Sequence, residues 1–202
     1  MSVRVKICGV TTPKDAKLAI ACGADLIGLN FYPPSPRYVD RERACRIREA
    51  IGASAIVVGL FVNAERDQIE ACRRELGLEM LQFHGDEDES ATTGWPVKVI
   101  RAIRVKADTS ENACITSADY RLLDTFHPGL YGGTGNRLVA AWLGSADLSR
   151  TILAGGLTPQ NVAEAAALKP YAVDAASGVE SAPGVKDPVK LRSFIAHAKS
   201  SR

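Results

Sequence analysis

The stretch VRVKICGVTTPKDAKLAIACGADLIGLNF, residues 3–31, contains the unit that decides the fold. It opens with the apolar run Val3–Cys8 and closes with a second one, Leu26–Phe31. Runs this rich in Val, Ile and Leu are typical of parallel strands buried on both faces. Between them, Thr12 is a suitable N-cap followed by proline, and Gly23 is a suitable stop, so we expect a helix to connect the two strands.

The same alternation continues through the chain. Further apolar runs lie at Ala55–Val62, Met80–Phe83, Val97–Ile103, Arg121–Asp124, Ile152–Ala154 and Tyr171–Ala176. Eight strands in 202 residues leave about 25 residues for each strand and helix, which is near the lower limit for a barrel. We therefore predict an α/β fold, a single (β/α)8 (TIM) barrel over residues 1–202. An open doubly wound sheet is the main alternative, and the lack of a G-x-G-x-x-G motif after the first run disfavours it.

The pattern also predicts where elements begin and end. We expect strands to end at residues 8, 30, 62, 84, 102, 124, 155 and 177. A second capped helix should begin at Thr158 and Pro159. The sequence specifies a fifth helix, within Asp108–Thr116, only poorly. The last segment has the spacing of a helix docked on a sheet, with apolar residues at Leu191, Phe194, Ile195 and Ala198.

Charge and composition exclude several classes of partner. The chain has 25 basic and 23 acidic residues, a net charge of +2, so neither nucleic acid nor a membrane surface is expected to bind. The locally basic segment Arg41–Arg48 is interrupted by Glu42 and is interpreted as a solvated helix face. Lys6 and Gly9 interrupt the first apolar run, so no signal peptide is expected, and no stretch approaches the roughly 18–20 apolar residues that a bilayer requires.

The five cysteines are odd in number, widely spaced and without a C-x-x-C pair. This usage disfavours a disulfide framework and a structural zinc site. It favours a reducing compartment, and we predict a cytoplasmic protein.

Polar residues at the carboxyl ends of barrel strands are typical of an active site. The residues at these positions are Cys8, Asn30, His84, Asp124, the pair Gly155-Gly156 and the pair Ser177-Gly178. All should point towards one shared mouth of the barrel.

The glycine pairs after strands seven and eight predict a phosphate site. Glycine lets backbone N–H groups approach an anion, and the loops after these two strands commonly bind phosphate in this fold. Gly155, Gly156, Ser177 and Gly178 are the expected contacts; the alternative is that they only form tight turns. A third glycine-rich loop, Tyr131–Asn136, is either a lid that excludes water or a second contact to the substrate, with Gly135 as a further phosphate-binding residue. A plain flexible loop is the alternative.

Cys8 and Asp124 are candidates for acid–base chemistry. From its position alone, Cys8 is more simply a small buried hydrophobe, whereas a carboxylate at a barrel mouth favours a function. A thiol with an ordinary pKa near 8.5 is about one tenth thiolate at pH 7.5, at a cost of about 1.4 kcal/mol. A positioned base contributes 100-fold or more, so we expect no extreme pKa shift to be needed. A metal site formed by Cys8, His84 and Asp124 is a less favoured alternative, because these residues share no ligand-spaced motif.

Two further residues are candidates for binding. Arg37 lies in a loop stiffened by Pro33, Pro34 and Pro36, which would hold its guanidinium ready for a carboxylate or a phosphate. The alternative is an arginine in water. His84 is most simply a hydrogen-bonded residue of the site wall.

Seven motifs along the chain together resemble the phosphoribosylanthranilate isomerase family of tryptophan biosynthesis. The resemblance runs from residue 3 to about residue 195, and the K-I-C-G and S-P-R motifs are its most specific parts. The motifs are Val5–Gly9, Phe31–Arg37, Leu81–Gly85, Leu122–Asp124, Gly132–Gly135, Leu153–Leu157 and Ser177–Glu180.

The resemblance implies an Amadori rearrangement of N-(5-phosphoribosyl)anthranilate to 1-(2-carboxyphenylamino)-1-deoxyribulose 5-phosphate, with this small molecule as partner and without cofactor or metal. It implies that Asp124 protonates the furanose ring oxygen, that Cys8 removes the proton from the adjacent sugar carbon, and that Arg37 holds the anthranilate carboxylate. Asp174 matches an acidic position near the substrate nitrogen. A carboxylate that only orders the eighth loop is equally compatible with the sequence.

The sequence departs from the family at two places. Ala176 stands where a Ser or Asn is common, and Leu138–Trp142 is apolar where an acidic residue usually precedes the tryptophan. Two alternative functions remain open. One is the related aminoaldose isomerisation of histidine biosynthesis, whose enzymes typically have an aspartate in place of Cys8. The other is a phosphate-binding barrel without catalysis. The sequence leaves open whether the chain is a monomer or a homodimer.

Overall fold

A computed structural model describes residues 3–105, 115–124 and 147–200. In these residues eight parallel strands form a closed barrel, each pairing with the next in chain order. The strands are β1 Arg4–Cys8, β2 Leu26–Asn30, β3 Ile56–Phe61, β4 Met80–Phe83, β5 Lys98–Arg104, β6 Tyr120–Asp124, β7 Thr151–Ala154 and β8 Ala172–Ala175. The predicted barrel is confirmed, and the open sheet is excluded because β8 pairs with β1.

Helices cover the outside of the barrel. They are α1 Pro13–Ala21, α2 Arg41–Ile51, α3 Arg66–Leu76, α4 Val162–Ala167 and α5 Pro188–Ser200. As predicted, the Thr12 hydroxyl caps α1 by accepting the Asp15 N–H at 3.1 Å, and α5 buries its apolar stripe. No helix in the described part of the chain is long and apolar enough to cross a membrane.

Strand side chains alternate between the barrel interior and the helix layer. One apolar cluster fills the lower interior and includes Leu26, Val58, Ile100, Leu122 and Ile152. A second, larger cluster lies between strands and helices and includes Val5 and Ile7. Since residues two apart share a face, Lys6 and Cys8 of β1 face the interior, as does Asp124 two residues beyond Leu122.

Several predicted boundaries were wrong by a few residues. β3, β4, β7 and β8 end one or two residues early, at Phe61, Phe83, Ala154 and Ala175, because these are the last residues that pair with a neighbouring strand. β5 continues to Arg104, which pairs with Asp124, two residues beyond the expected end. The helix expected at Thr158 begins at Val162 instead, because the Asn161 side chain accepts the Thr158 N–H at 2.8 Å and forms a turn there. The expected fifth helix, Asp108–Thr116, falls almost wholly outside the described residues.

A short hairpin that the sequence did not predict follows β8. Its strands are β9 Glu180–Ala182 and β10 Val185–Lys186, which run antiparallel. The hairpin packs against the loop after β1, where the Thr11 hydroxyl donates to the Gly184 carbonyl at 2.6 Å. The hairpin therefore brings Glu180 and Lys186 to the barrel mouth.

Candidate active site

The structure places the predicted polar residues at one end of the barrel. Cys8, Asn30 and Asp124 are the last residues of β1, β2 and β6, and His84 directly follows β4. The side chain of Asn30 shapes the next loop, because its Oδ1 accepts the Tyr32 N–H at 2.9 Å and its Nδ2 donates to the Ser35 hydroxyl at 3.1 Å.

Cys8 lies in the barrel interior and is only 7% exposed. Directly beside it on β2 is Gly28, where a Cβ atom would lie only 2.9 Å from the Cys8 sulfur. Burial raises the pKa of the Cys8 thiol; Lys6 and Lys186 lower this pKa and Asp174 raises it, and the result is above the ordinary value. The shift is upward because desolvation outweighs the nearby cations.

A buried ion pair lies below Cys8. The ammonium Nζ of Lys6 is 3.1 Å from Oδ1 of Asp174, and the Lys6 side chain is fully buried. The two residues face each other across the β1–β8 pairing. Asp174 therefore forms its ion pair with a residue of β1 and not with the eighth loop. Sequence reasoning missed Lys6, although a lysine inside an apolar strand, two residues before Cys8, is a usable signal.

Arg37 is fixed by a second buried carboxylate. Its Nε and Nη2 donate to the two carboxylate oxygens of Glu180 at 2.9 and 2.6 Å. Lys186 donates to Glu180 Oε1 at 2.9 Å, to the Cys8 carbonyl at 2.6 Å and to the Ala176 carbonyl at 3.2 Å. Hydrogen bonding and charge from Arg37 and Lys186 outweigh burial and lower the pKa of Glu180. Arg37 is thus not an arginine in water, and Glu180 and Lys186 join the site.

Asp124 has a more open surrounding. Its Oδ2 lies 3.5 Å from Nε2 of His84, and the side chains of Asp124 and His84 are 27% and 24% exposed. The Gln82 amide nitrogen donates to Nδ1 of His84 at 2.9 Å, which directs the other ring nitrogen towards Asp124. The predicted wall residue is therefore hydrogen-bonded and lies next to the predicted acid.

The two glycine loops meet at the same mouth. A Cβ at Gly178 would lie 1.8 Å from the Leu157 carbonyl oxygen, so only glycine permits this approach of loop eight to loop seven. Gly155 and Gly156 both have positive φ angles, 86° and 63°, which glycine adopts without strain. Ser177 opens a short 3-10 turn, Ser177–Val179, in loop eight. Gly135 and the loop Tyr131–Asn136 lie outside the described residues.

The metal alternative gains no support from this geometry. Among residues 3–105, 115–124 and 147–200, no group of three His, Cys, Asp or Glu side chains is arranged to hold a metal ion. The ammonium groups of Lys6 and Lys186 act on Cys8, and their positive charge disfavours a metal cation there.

The fold and the site define the class: a (β/α)8-barrel enzyme with its active site at the carboxyl ends of the strands. Residues 5–197 match the family model described as N-(5'phosphoribosyl)anthranilate (PRA) isomerase. The chain belongs to this family.

Relatives of known identity agree in sequence and structure. The chain is 46% identical over 198 residues to N-(5'-phosphoribosyl)anthranilate isomerase of Pseudomonas fluorescens, covering 96% of this chain and 97% of the relative. A crystal structure of phosphoribosyl anthranilate isomerase in complex with reduced 1-(o-carboxyphenylamino)-1-deoxyribulose 5-phosphate superposes with a TM-score of 0.81 and 34% identity, covering 98% of each chain. Monomers generated from the dimeric enzyme of Thermotoga maritima give a TM-score of 0.79 and 33% identity, covering 98% of this chain and 99% of that one.

Proposed function

We propose that this chain isomerises N-(5'-phosphoribosyl)anthranilate in tryptophan biosynthesis, with Cys8 as the base and Asp124 as the acid. The observation that carries the residue assignment is that both side chains face the barrel interior from the last residues of β1 and β6. The chain is an aldose–ketose isomerase by its family. The family match and the named relatives favour this isomerase over the histidine-type isomerase and over a barrel without catalysis.

In the first step the Asp124 carboxylic acid donates its proton to the furanose ring oxygen. The bond between that oxygen and the anomeric carbon breaks, and the nitrogen lone pair forms an iminium. Asp124 suits this role because its side chain is about a quarter exposed, so water and substrate can both reach it. His84 beside it can hydrogen-bond the ring oxygen or the carboxylate that remains.

In the second step the Cys8 thiolate removes the proton from the adjacent sugar carbon. The electrons of the broken C–H bond form a C=C bond, and the iminium π electrons return to nitrogen, which gives an enolamine. The enolamine then tautomerises to the ketone. The positive charge of the iminium stabilises the Cys8 thiolate when the base is needed. This stabilisation offsets the rise in the Cys8 pKa that burial causes.

The remaining residues bind the two ends of the substrate. Arg37 is proposed to hold the anthranilate carboxylate with its remaining N–H donors, since Glu180 takes Nε and Nη2. Gly155, Gly156, Ser177 and Gly178, with Gly135, are proposed to bind the phosphate. Asp174 is proposed to lie near the substrate nitrogen, where it would also stabilise the iminium charge.

We also propose the setting in which the protein works. Its substrate is a small molecule, it needs no cofactor, and it acts in the cytoplasm as a monomer or homodimer. The four cysteines of the described residues are all free thiols, which supports a reducing compartment.

The test is turnover of phosphoribosylanthranilate by the purified chain, together with rescue of a tryptophan auxotroph that lacks only this isomerase. We expect growth without tryptophan and product formation. A soluble, well-expressed protein that gives neither would overturn the assignment.

A further inference from the structure

The Cys8 side of the mouth contains an unusual concentration of buried charge. The side chains of Lys6 and Lys186 are fully buried, and those of Asp174 and Glu180 are 9% and 4% exposed. With Arg37, whose side chain is 23% exposed, this group has three cations and two carboxylates, a net charge of +1. The group is therefore suited to one further anion, and the Cys8 thiolate is the anion that the chain itself can supply.

The three cations differ in how many donors they have left. An ammonium has three N–H donors, and Lys186 gives one each to the Cys8 carbonyl, the Ala176 carbonyl and Glu180. Arg37 gives Nε and Nη2 to Glu180. Lys6 gives one hydrogen bond to Asp174 and keeps donors for a second partner. Lys6 is also the cation on the same face of the same strand as Cys8.

We propose that Lys6 is a positioning residue for Cys8: the Lys6 ammonium stabilises the Cys8 thiolate, and Asp174 is the ion-pair partner of that ammonium. The proposal rests on the proposed function, in which Cys8 is the base. Lys6 keeps its proton throughout, and the substrate proton passes to sulfur. Asp174 also opposes the thiolate by its own charge, so the two residues act on Cys8 in opposite directions.

The electrostatics of the pair agree with this geometry. Burial by itself lowers the pKa of Lys6, but the charges and hydrogen bonds of Asp174 and Cys8 outweigh burial and raise this pKa above its ordinary value. Lys6 is therefore an ammonium at neutral pH. The Cys8 pKa, which burial raises, is lowered by Lys6 and raised by Asp174.

The other charged groups around Cys8 do not replace Lys6. Lys186 approaches from the hairpin and Arg37 from the loop after β2, and both are paired with Glu180. Asp124 and His84 lie at the ends of other strands and interact with each other. Removing Lys6 would therefore leave Asp174, which disfavours the thiolate, without its counter-charge.

The test is the pH dependence of Cys8 alkylation by iodoacetamide, followed by peptide mass spectrometry on the full-length protein. The variants are Lys6→Gln, Asp174→Asn and the double variant. We expect the midpoint for Cys8 to move up by about one pH unit in Lys6→Gln and to move down in Asp174→Asn. Cys22, which is half-buried on the outside of the barrel, is the control thiol, and its profile should not change.

Opposite shifts are the decisive feature, because a structural role alone would give shifts in one direction or none. Equal or absent shifts overturn the proposal. If Lys6→Gln does not fold because Asp174 is left unpaired, the double variant restores a neutral pair, and its midpoint should exceed that of Asp174→Asn. The opposite order of these two midpoints also overturns it. The alkylation midpoint does not depend on turnover, so this proposal and the proposed function can fail separately. If the midpoints shift as expected but Cys8→Ser keeps full activity, the effect of Lys6 on the Cys8 thiolate is supported and Cys8 is rejected as the base.

Discussion

The two sides of the barrel mouth are built differently. On the β1 and β8 side, Cys8 is 7% exposed and the neighbouring charges form closed pairs with little access to water. On the β4 and β6 side, His84 and Asp124 are each about a quarter exposed, and their nitrogen and oxygen atoms are 3.5 Å apart. The side with the proposed base, the closed side, is buried and ion-paired, and the side with the proposed acid, the open side, is about a quarter exposed.

This difference fits the two tasks. A base that removes a proton from carbon must be held in one place, because geometry sets the rate of transfer. An acid that must be reprotonated after each cycle benefits from contact with water. We therefore expect substitutions on the closed side to impair activity by disturbing geometry and charge. On the open side, we expect a large loss of activity only where the reacting group itself is removed.

The largest effects are expected from the reacting groups. Cys8→Ser and Asp124→Asn should each lower kcat by at least about 100-fold with little change in KM, because both groups act mainly in the transition state. Steady-state kinetics at several pH values would measure this. A variant of either residue that keeps near-full kcat would show that its role was wrongly assigned.

A smaller effect is expected where Arg37 is held. Charge-assisted hydrogen bonds contribute about 1.5–3 kcal/mol, so Arg37→Ala should raise KM by about 10- to 150-fold with a smaller change in kcat. Glu180→Gln should raise KM in the same direction, because Arg37 loses the carboxylate that orients it.

Arg41→Ala is the matched control, since this arginine pairs with Glu75 on the surface after the same loop. Its KM should stay at the wild-type value. If Arg37→Ala leaves kcat/KM unchanged, the anthranilate carboxylate does not bind there.

Gly28→Ala should show whether the position of the Cys8 sulfur affects kcat independently of the stability of the closed side. The added Cβ would lie 2.9 Å from the Cys8 sulfur and displace it, and we expect kcat to fall about 10-fold. Gly59→Ala on the next strand is the comparison, because its Cβ would meet Leu78 and Phe61 instead, at 2.5 and 2.9 Å. Both variants should lower Tm, and only Gly28→Ala should lower kcat. If both variants lose the same fraction of kcat, the loss comes from disturbed packing in general and not from displacement of Cys8.

The smallest effect is expected from His84→Gln. One intramolecular hydrogen bond contributes a net of about 1 kcal/mol, so kcat should change by no more than about five-fold. Kinetics beside Asp124→Asn would test this. A loss as large as that of Asp124→Asn would show that the open side is as constrained as the closed side.

The two sides also differ in how far the sequence predicts them. Cys8, Asp124 and His84 could be located because each ends or follows a buried strand, and strand parity is local. The contacts of Glu180 with Arg37, 143 residues apart, and of Lys186 with the Cys8 carbonyl, 178 residues apart, could not. They depend on the hairpin after β8, whose strands of three and two residues have no clear periodicity.

The sequence by itself determined the barrel, its first and last helices and the ring of polar residues at the strand ends, because apolar runs and helix caps are set by neighbouring residues. The tertiary structure alone decided the state of those residues. It paired Lys6 with Asp174 and Arg37 with Glu180, and it raised the pKa of the Cys8 thiol by burying it. Desolvation and charge pairing depend on which distant segments meet in space, so no local pattern predicts them.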